Sequence, residues 1–349
     1  MRRSGVPTTE DVARVAGVSR ATVSFVLNQR ADGRITADTQ ARVLRAAQSL
    51  GYRRNRLATA LSTGRAHAVG IVSEIKDFSD VAASADVYLK NVFLAVTLAA
   101  ARAGLNAFLL LETPDLELRP EDVADGRVDG VIVFRMQDND SWVPRVEALG
   151  LPCVEIGSCC GRYWVDVDNA GGAALAVEHL CGLGHRRIAY FARRPSTPLV
   201  PSPGRRLEGF RAAVAAAGIP DADAPVACTP EELGRLFGPD VAPDRRPTAV
   251  FCFSDGHALT ALDLLTARGL RVPEDVSLVG FNSDVRAESV RPALTSVVNP
   301  VDEMARAAIG LLRRQMEGSA LPEEGIVLPT RLAVRQSTAA PSPERYSER

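Results

Sequence analysis

The segment Ser19 to Asn28 sets hydroxyls, an arginine and an amide along one short amphipathic stretch. Val23, Val26 and Leu27 recur at helical spacing and face inward. Arg20, Ala21, Ser24, Phe25 and Asn28 are then left on the outer face. An arginine fork matches the O6 and N7 acceptors of guanine, and hydroxyls suit phosphate oxygens. A lone helix cannot hold such groups in register, so a second element must brace it. It lies just upstream in TTEDVARVAG, where Val12, Ala13 and Ala16 share a face. Gly17-Val18 makes a tight turn and Ser19 is placed to cap the following helix. This is the pattern of a helix-turn-helix, whose second helix enters the major groove by its N-terminal part.

Downstream, Gln29 to Arg34 reads as a polar loop containing Asp32-Gly33. Thr36 caps a third helix expected to reach about Leu50, with Val43, Leu44, Ala47 and Leu50 as its core face. Gly51 closes it and Tyr52 is expected to pack back. Asn55 can cap a further short helix with Leu57, Ala58 and Leu61 on one side and Thr63-Gly64 as its stop. Residues 1–66 hold 12 Arg against 4 acidic residues, a charge of +8, while the whole chain carries −1. A basic head thus precedes a body of −9, a distribution suited to phosphate contact at one end only.

The chain has 349 residues, 46% hydrophobic and 24% charged, enough for roughly two to three packed domains. It shows no apolar run of membrane-spanning length and no apolar segment after Met1 of the secretory kind, so a cytoplasmic, nucleoid-associated protein is expected, with no membrane partner. The six cysteines form no C-x-x-C pair and the four histidines no ligand spacing, which leaves neither a metal site nor a cofactor to be expected. Cys159-Cys160 reads as ordinary loop cysteines. The 39 arginines against 2 lysines fit a GC-rich genome.

From Ala66 the pattern becomes strand-helix alternation. Strand-like runs are 68–75, 106–112, 128–134 and 152–158, with an amphipathic helix at about 86–103. A second series holds a helix capped near Asp168-Asn169, a strand at 187–192, a helix at 205–218, a strand at 248–254, a helix at 256–269 and a strand at 276–281. The class is α/β, an all-α head followed by two Rossmann-like lobes. Such sheets bind ligands beyond the carboxyl ends of their strands. Candidates from the first lobe are Glu74, Phe78, Arg135 and Ser158. From the second they are Arg206, Ser254, Asp255, Asn282 and Trp164. Gly182-Leu183-Gly184 lacks a third glycine and ends a helix before a strand, the reverse of a dinucleotide loop. Ser254, Asp255 and His257 are sequence neighbours, unlike a triad assembled from separate loops, and no G-x-S-x-G exists. No enzyme is expected.

TTEDVARVAGVSRATVSFVLN, Leu50-Gly51-Tyr52 and Asn55-Arg56-Leu57-Ala58 together resemble the lactose-repressor (LacI/GalR) family of bacterial regulators. The likeness continues through VDVDNAGGAALAVEHLCGLGHRRIAYF, RRLEGFRAAV, VPEDVSLVGFNSD, RPALTSVVNPVDEMARAAIGLL and VLPTRLAVRQST, covering residues 8 to about 338. The resemblance implies a DNA-binding domain at 1–54, a hinge helix and linker at 55–66, and a two-lobed effector and dimerisation domain at 67–338. The lobes, of periplasmic-binding-protein type, are expected at about 67–160 plus 296–322 and about 161–295 plus 323–338, with 339–349 a disordered tail. It further implies a repressor, acting as a homodimer or a tetramer built from it, on a pseudo-palindromic DNA operator, released by a sugar-like or related small-molecule effector. The DNA-facing residues would be Thr9, Ser19, Arg20, Ala21, Thr22, Ser24 and Phe25, followed by Asn28, Arg34, Asn55, Ala58 and Leu61. Leu61 matches the family's leucine wedge, an apolar side chain that unstacks a base step and bends the duplex. Arg206 matches the effector-clamping arginine of the R-x-x-G-F segment.

Phe25 stands where many relatives carry a base-reading arginine, and Arg54 replaces a proline before the hinge. Ser254 and Asn282 depart from an asparagine and an acidic position. The low aromatic content, 5%, leaves a nucleoside, a carboxylate or no ligand open beside a sugar. A solute-binding protein would share the body yet need a signal peptide and no basic head.

Overall fold

The computed structural model describes residues 7–27, 35–53, 64–74, 87–113, 115–134, 139–157, 161–192, 201–321 and 325–342. Contacts divide the chain into two units, Met1–Ala66 and His67–Arg349.

In the first unit α1 spans Thr9–Ala16, α2 Arg20–Leu27 and α3 Ala37–Ser49. Thr8 starts α1 through a capping box: its Oγ accepts from Asp11 N–H at 3.3 Å, and Asp11 Oδ2 accepts from Thr8 N–H at 2.9 Å. Gly17 ends α1 at φ 64°, a left-handed conformation that a side chain would resist, and this sets the sharp turn into α2. Ser19 Oγ accepts from Thr22 N–H at 3.1 Å and Thr36 Oγ from Thr39 N–H at 3.3 Å, so both expected caps form. Val12, Ala13, Ala16, Val23, Val26, Val43, Ala46 and Ala47 make the core, with Leu27, Leu50 and Tyr52 packed against it. Leu44, expected inside, is 53% exposed. From Val43 the inward positions fall three, four and seven residues on, at Ala46, Ala47 and Leu50. Leu44 is turned about 100° away.

The second unit contains two six-stranded sheets. In chain order β1 is Ala68–Glu74, α4 Val87–Arg102, β2 Asn106–Glu112, α5 Pro120–Val123, β3 Val131–Phe134, α6 Asn139–Ala148, β4 Cys153–Ile156 and β5 Trp164–Val167. Next come α7 Asn169–Gly182, β6 Ile188–Phe191, α8 Pro201–Ala216, β7 Val226–Ala227, α9 Pro230–Arg235, β8 Ala249–Cys252, α10 Asp255–Ala267, β9 Ser277–Asn282 and α11 Val285–Ser289. The chain closes with β10 Thr295–Val298, α12 Val301–Met316, β11 Ile326–Leu328 and β12 Arg331–Ala333. The first sheet has the order β11-β5-β4-β3-β1-β2 and is parallel throughout. The second, β12-β10-β9-β8-β6-β7, is parallel except for β12. Central strands such as β3, β6 and β8 are buried at every residue, as unbroken apolar runs between covering layers require.

The lobe borders fall elsewhere than expected. β5 and β11 pair within the first sheet, and β10 lies in the second. The crossings therefore sit at Asp168, at Asn299-Pro300 and at Pro329-Thr330. Pairing decides this: Ile326–Leu328 aligns with Val165–Val167, and Asp168 N–H then donates to Leu328 O at 2.8 Å, tying the first and third crossings. The helix expected at 205–218 begins already at Pro201. The start of the expected tail is also held. Ala339 N–H donates to Ser277 Oγ at 3.0 Å, and its carbonyl lies 2.9 Å from His185 Nε2. Residues 343–349 lie outside the described residues.

Candidate functional site

On the head, Ser19, Arg20, Ala21, Ser24 and Phe25 are exposed, Phe25 at 47%, while Thr9 and Thr22 are half-buried. The surface of α2 therefore presents the expected residues, and its apolar side is spent on the core. The Ser19 and Thr22 hydroxyls are 2.9 Å apart within the cap. Sequence reasoning missed Glu10 on α1, whose carboxylate comes within 3.8 Å of Arg20 Nη1. Its helical position carried no signal of that proximity. Asn28, Arg34, Asn55, Ala58 and Leu61 lie outside the described residues.

In the body a polar cluster forms where the chain crosses between the sheets. Arg206 is 4% exposed, yet its guanidinium lies 3.5 Å from the Phe281 ring centroid and 4.6 Å from that of Phe253. Its Nε donates to Asn169 Oδ1 at 2.8 Å and its Nη1 to Phe253 O at 2.6 Å. Burial pulls its pKa down to about 10, which leaves it charged at neutral pH. Asp166, at the end of β5, supplies the opposite charge. Its carboxylate accepts from Arg205 Nη1 at 3.0 Å, from Val167 N–H at 2.8 Å and from Asn169 Nδ2. Burial nevertheless lifts its pKa above the ordinary carboxylate range. Tyr88 on α4 shares this field, and burial raises its hydroxyl to about 12. Among the described residues Asn282 Oδ1 is buried without a hydrogen-bond partner, and the buried amide of Asn299, at the second crossing, is met only by the Tyr88 hydroxyl. Asn282 also holds φ at 101°, a strained value of the kind that collects at binding sites.

The R-x-x-G-F segment explains how Arg206 is placed. A Cβ at Gly209 would collide with the backbone of Ala170, so only glycine lets α8 lie directly on α7. One turn earlier, Arg206 is thereby brought onto Asn169. Phe210 secures the helix by stacking on Tyr190, with centroids 5.1 Å apart.

Other candidates fare differently. Ser254 Oγ accepts from His257 N–H at 3.3 Å, the cap of α10. Asp255 is fully buried, and both of its oxygens are used: Asp284 N–H donates to one at 2.7 Å and Ser296 Oγ to the other at 2.5 Å. It fastens the turn after β9 to β10 and offers no free oxygen to a ligand. Trp164 opens β5, and its indole occupies the space a side chain at 325 would take, so it packs on Gly325. Glu74 ends β1, level with Glu112. Phe78, Arg135 and Ser158 lie outside the described residues. Tyr88, Asp166, Asn169 and Asn299 were not singled out as ligand groups, although Asp166 and Asn169 flank the legible cap at Asp168. Among the histidines, His185 is buried against Thr248, at 2.8 Å, and Ser277.

A helix-turn-helix unit and a two-sheet body with a buried polar cluster at its crossings together define a class of DNA-binding regulators. Residues 8–55 match the model described as bacterial regulatory proteins, lacI family, and residues 177–338 the periplasmic binding protein-like domain. The HTH-type transcriptional regulator CelR of Thermobifida fusca is 34% identical, the alignment covering 97% of this chain and 100% of that protein. A structure of a CelR–cellobiose complex, at 32% identity, covers 95% of this chain and 99% of its own with a TM-score of 0.64. The lac repressor dimer bound to operator and the anti-inducer ONPF shares the fold, with a TM-score of 0.78 at 24% identity over 96% of this chain and 100% of that one. The chain belongs to the lacI family of bacterial regulatory proteins, and it is a DNA-binding transcriptional regulator and not an enzyme.

Proposed function

We propose that the protein is a repressor in the cytoplasm that binds a pseudo-palindromic operator as a homodimer and is switched by a small, sugar-like effector between its lobes. The observation that carries the effector reading is Arg206, a charged fork stacked on Phe281 beside Asp166 and the incompletely satisfied amide of Asn299. Polar groups buried without partners are costly, and hydroxyls of a bound polyol would satisfy both donor and acceptor there. Arg206, Asn282 and Asn299 are the residues assigned to that ligand, with Glu74, Phe78, Arg135 and Ser158 contributing from the first lobe. The cellobiose complex of CelR supports a sugar as the class.

Dimer formation is assigned to the first lobe. Leu94 and Leu98, one turn apart on α4, are 59% and 46% exposed, and Leu109 on the outer strand β2 is 52% exposed. An apolar stripe of this kind beside a sheet edge suits a second copy of the same surface. Two heads would then span two half-sites, with Arg20 reading bases, Ser19 and Thr22 on phosphates, and the 55–63 hinge carrying the Leu61 wedge. Effector and operator affinities are reciprocally linked through lobe closure. The test is release of selected operator DNA by cellobiose and by a panel of mono- and disaccharides, followed by anisotropy. Release by a sugar in the wild type and not in Arg206→Ala is expected. Release that Arg206→Ala leaves unchanged would remove the assigned site.

A further inference from the structure

We infer that Glu10 is a specificity-determining residue, and that Glu10 and Arg20 read the two halves of a single G·C pair. The inference rests on the reading of Arg20 as a base contact.

The α1 start does not need this carboxylate. Thr8 and Asp11 form the capping box between themselves, and Asp11 also accepts from Arg14 Nη2 at 2.6 Å. Glu10 instead leaves α1 on the side facing the start of α2, where its Oε2 is 3.8 Å from Arg20 Nη1. Both side chains are open, 75% and 67% exposed, so the pair contributes little to folding. It does fix which groups stand together on the surface that α2 presents.

A carboxylate there runs against the charge of the head. The unit carries +8, and an acidic group at its DNA-facing edge is repelled by phosphates. Arg20 offsets part of that repulsion, and a donor on the DNA would repay the rest. In the major groove guanine shows two acceptors, O6 and N7, and the cytosine opposite shows a donor, the N4 amine. A fork and a carboxylate side by side complement that edge: Arg20 donates to guanine while Glu10 accepts from cytosine N4. Thymine would set its O4 acceptor against Glu10, so the acid rejects an A·T pair as well as favouring G·C. An arginine has five N–H donors, so Arg20 can hold guanine with two and still meet Glu10.

The test uses the full chain. A random duplex pool selects the preferred site, and wild type, Glu10→Ala and Arg20→Ala are then titrated on that duplex and on variants at each pair of the half-site. Glu10→Ala leaves the cap intact, so folding is retained. Both substitutions are expected to relax preference at the same pair, each by roughly 5–150-fold in discrimination. Replacing that cytosine by N4-methylcytosine, which removes the groove-facing N–H, is expected to weaken wild type and leave Glu10→Ala unaffected. Equal tightening of Glu10→Ala on every sequence would show a carboxylate that only repels phosphate and would overturn the inference. Relaxation at a pair other than the one Arg20→Ala relaxes, or wild-type indifference to the methylated base, would do the same. Unchanged preference in Arg20→Ala would refute the base-contact reading itself, and is told apart by that variant alone.

Discussion

Replacing Asp255 by asparagine exposes the cost of burying this carboxylate through its pH dependence. Burial raises the Asp255 pKa from 3.8 to about 7, despite the hydrogen bonds from Ser296 and Asp284 N–H that oppose the rise. The folded protein therefore binds a proton that the unfolded chain has released between these values, and stability falls as pH rises through that window. At 1.36 kcal/mol per unit, the loss contributed by this group between pH 5 and pH 8 is about 2–3 kcal/mol. The asparagine side chain would be uncharged at all pH, could still accept from Asp284 N–H, and could donate to Ser296. Urea unfolding of wild type and Asp255→Asn across pH 5–8 reads the difference directly, because other titrations cancel between the two. The variant should gain on wild type by about 2–3 kcal/mol over this range. A constant difference, or a wild type that gains on the variant as pH rises, would refute the reasoning.

Gly209→Ala forces a methyl against the Ala170 backbone, which cannot yield, so a loss of about 1–3 kcal/mol in thermal unfolding is expected together with loss of sugar-triggered release. Leu98→Arg places a charge in the apolar stripe, and sedimentation should show monomers with operator affinity falling alongside; a variant still dimeric would move the interface elsewhere. His185→Ala removes the ties to Thr248, Ser277 and Ala339, so hydrogen exchange should quicken across 337–342 with a stability loss of about 1–3 kcal/mol. Burial lowers the His185 pKa from 6.5 to about 4, so its contribution is lost as pH falls through that interval, the unfolded chain taking the proton first.

Local features were legible and distant pairings were not. The caps at Ser19, Thr36 and Asp168 could be read because each acceptor and its N–H lie within three residues, as could the Gly17 turn and the apolar face of α1. The alternation of strands and helices gave the two lobes for a similar reason. Asp255 could not be read as a clip, because its partners lie 29 and 41 residues away in the turn at Asp284 and in β10. The lobe borders were missed because β11 joins a strand far upstream, and nothing in Ile326–Leu328 names its neighbour. Asn299 and Tyr88 stood out in neither charge nor motif. Their significance comes from sharing one buried field with Arg206 and Asp166.

Selection of bound DNA from a random duplex pool by the full chain, at near-physiological salt, tests the central claim most directly. A two-fold symmetric site of about 14–20 base pairs, spaced for two heads one helical turn apart, is the predicted result. Weak, salt-sensitive binding without sequence preference would contradict it.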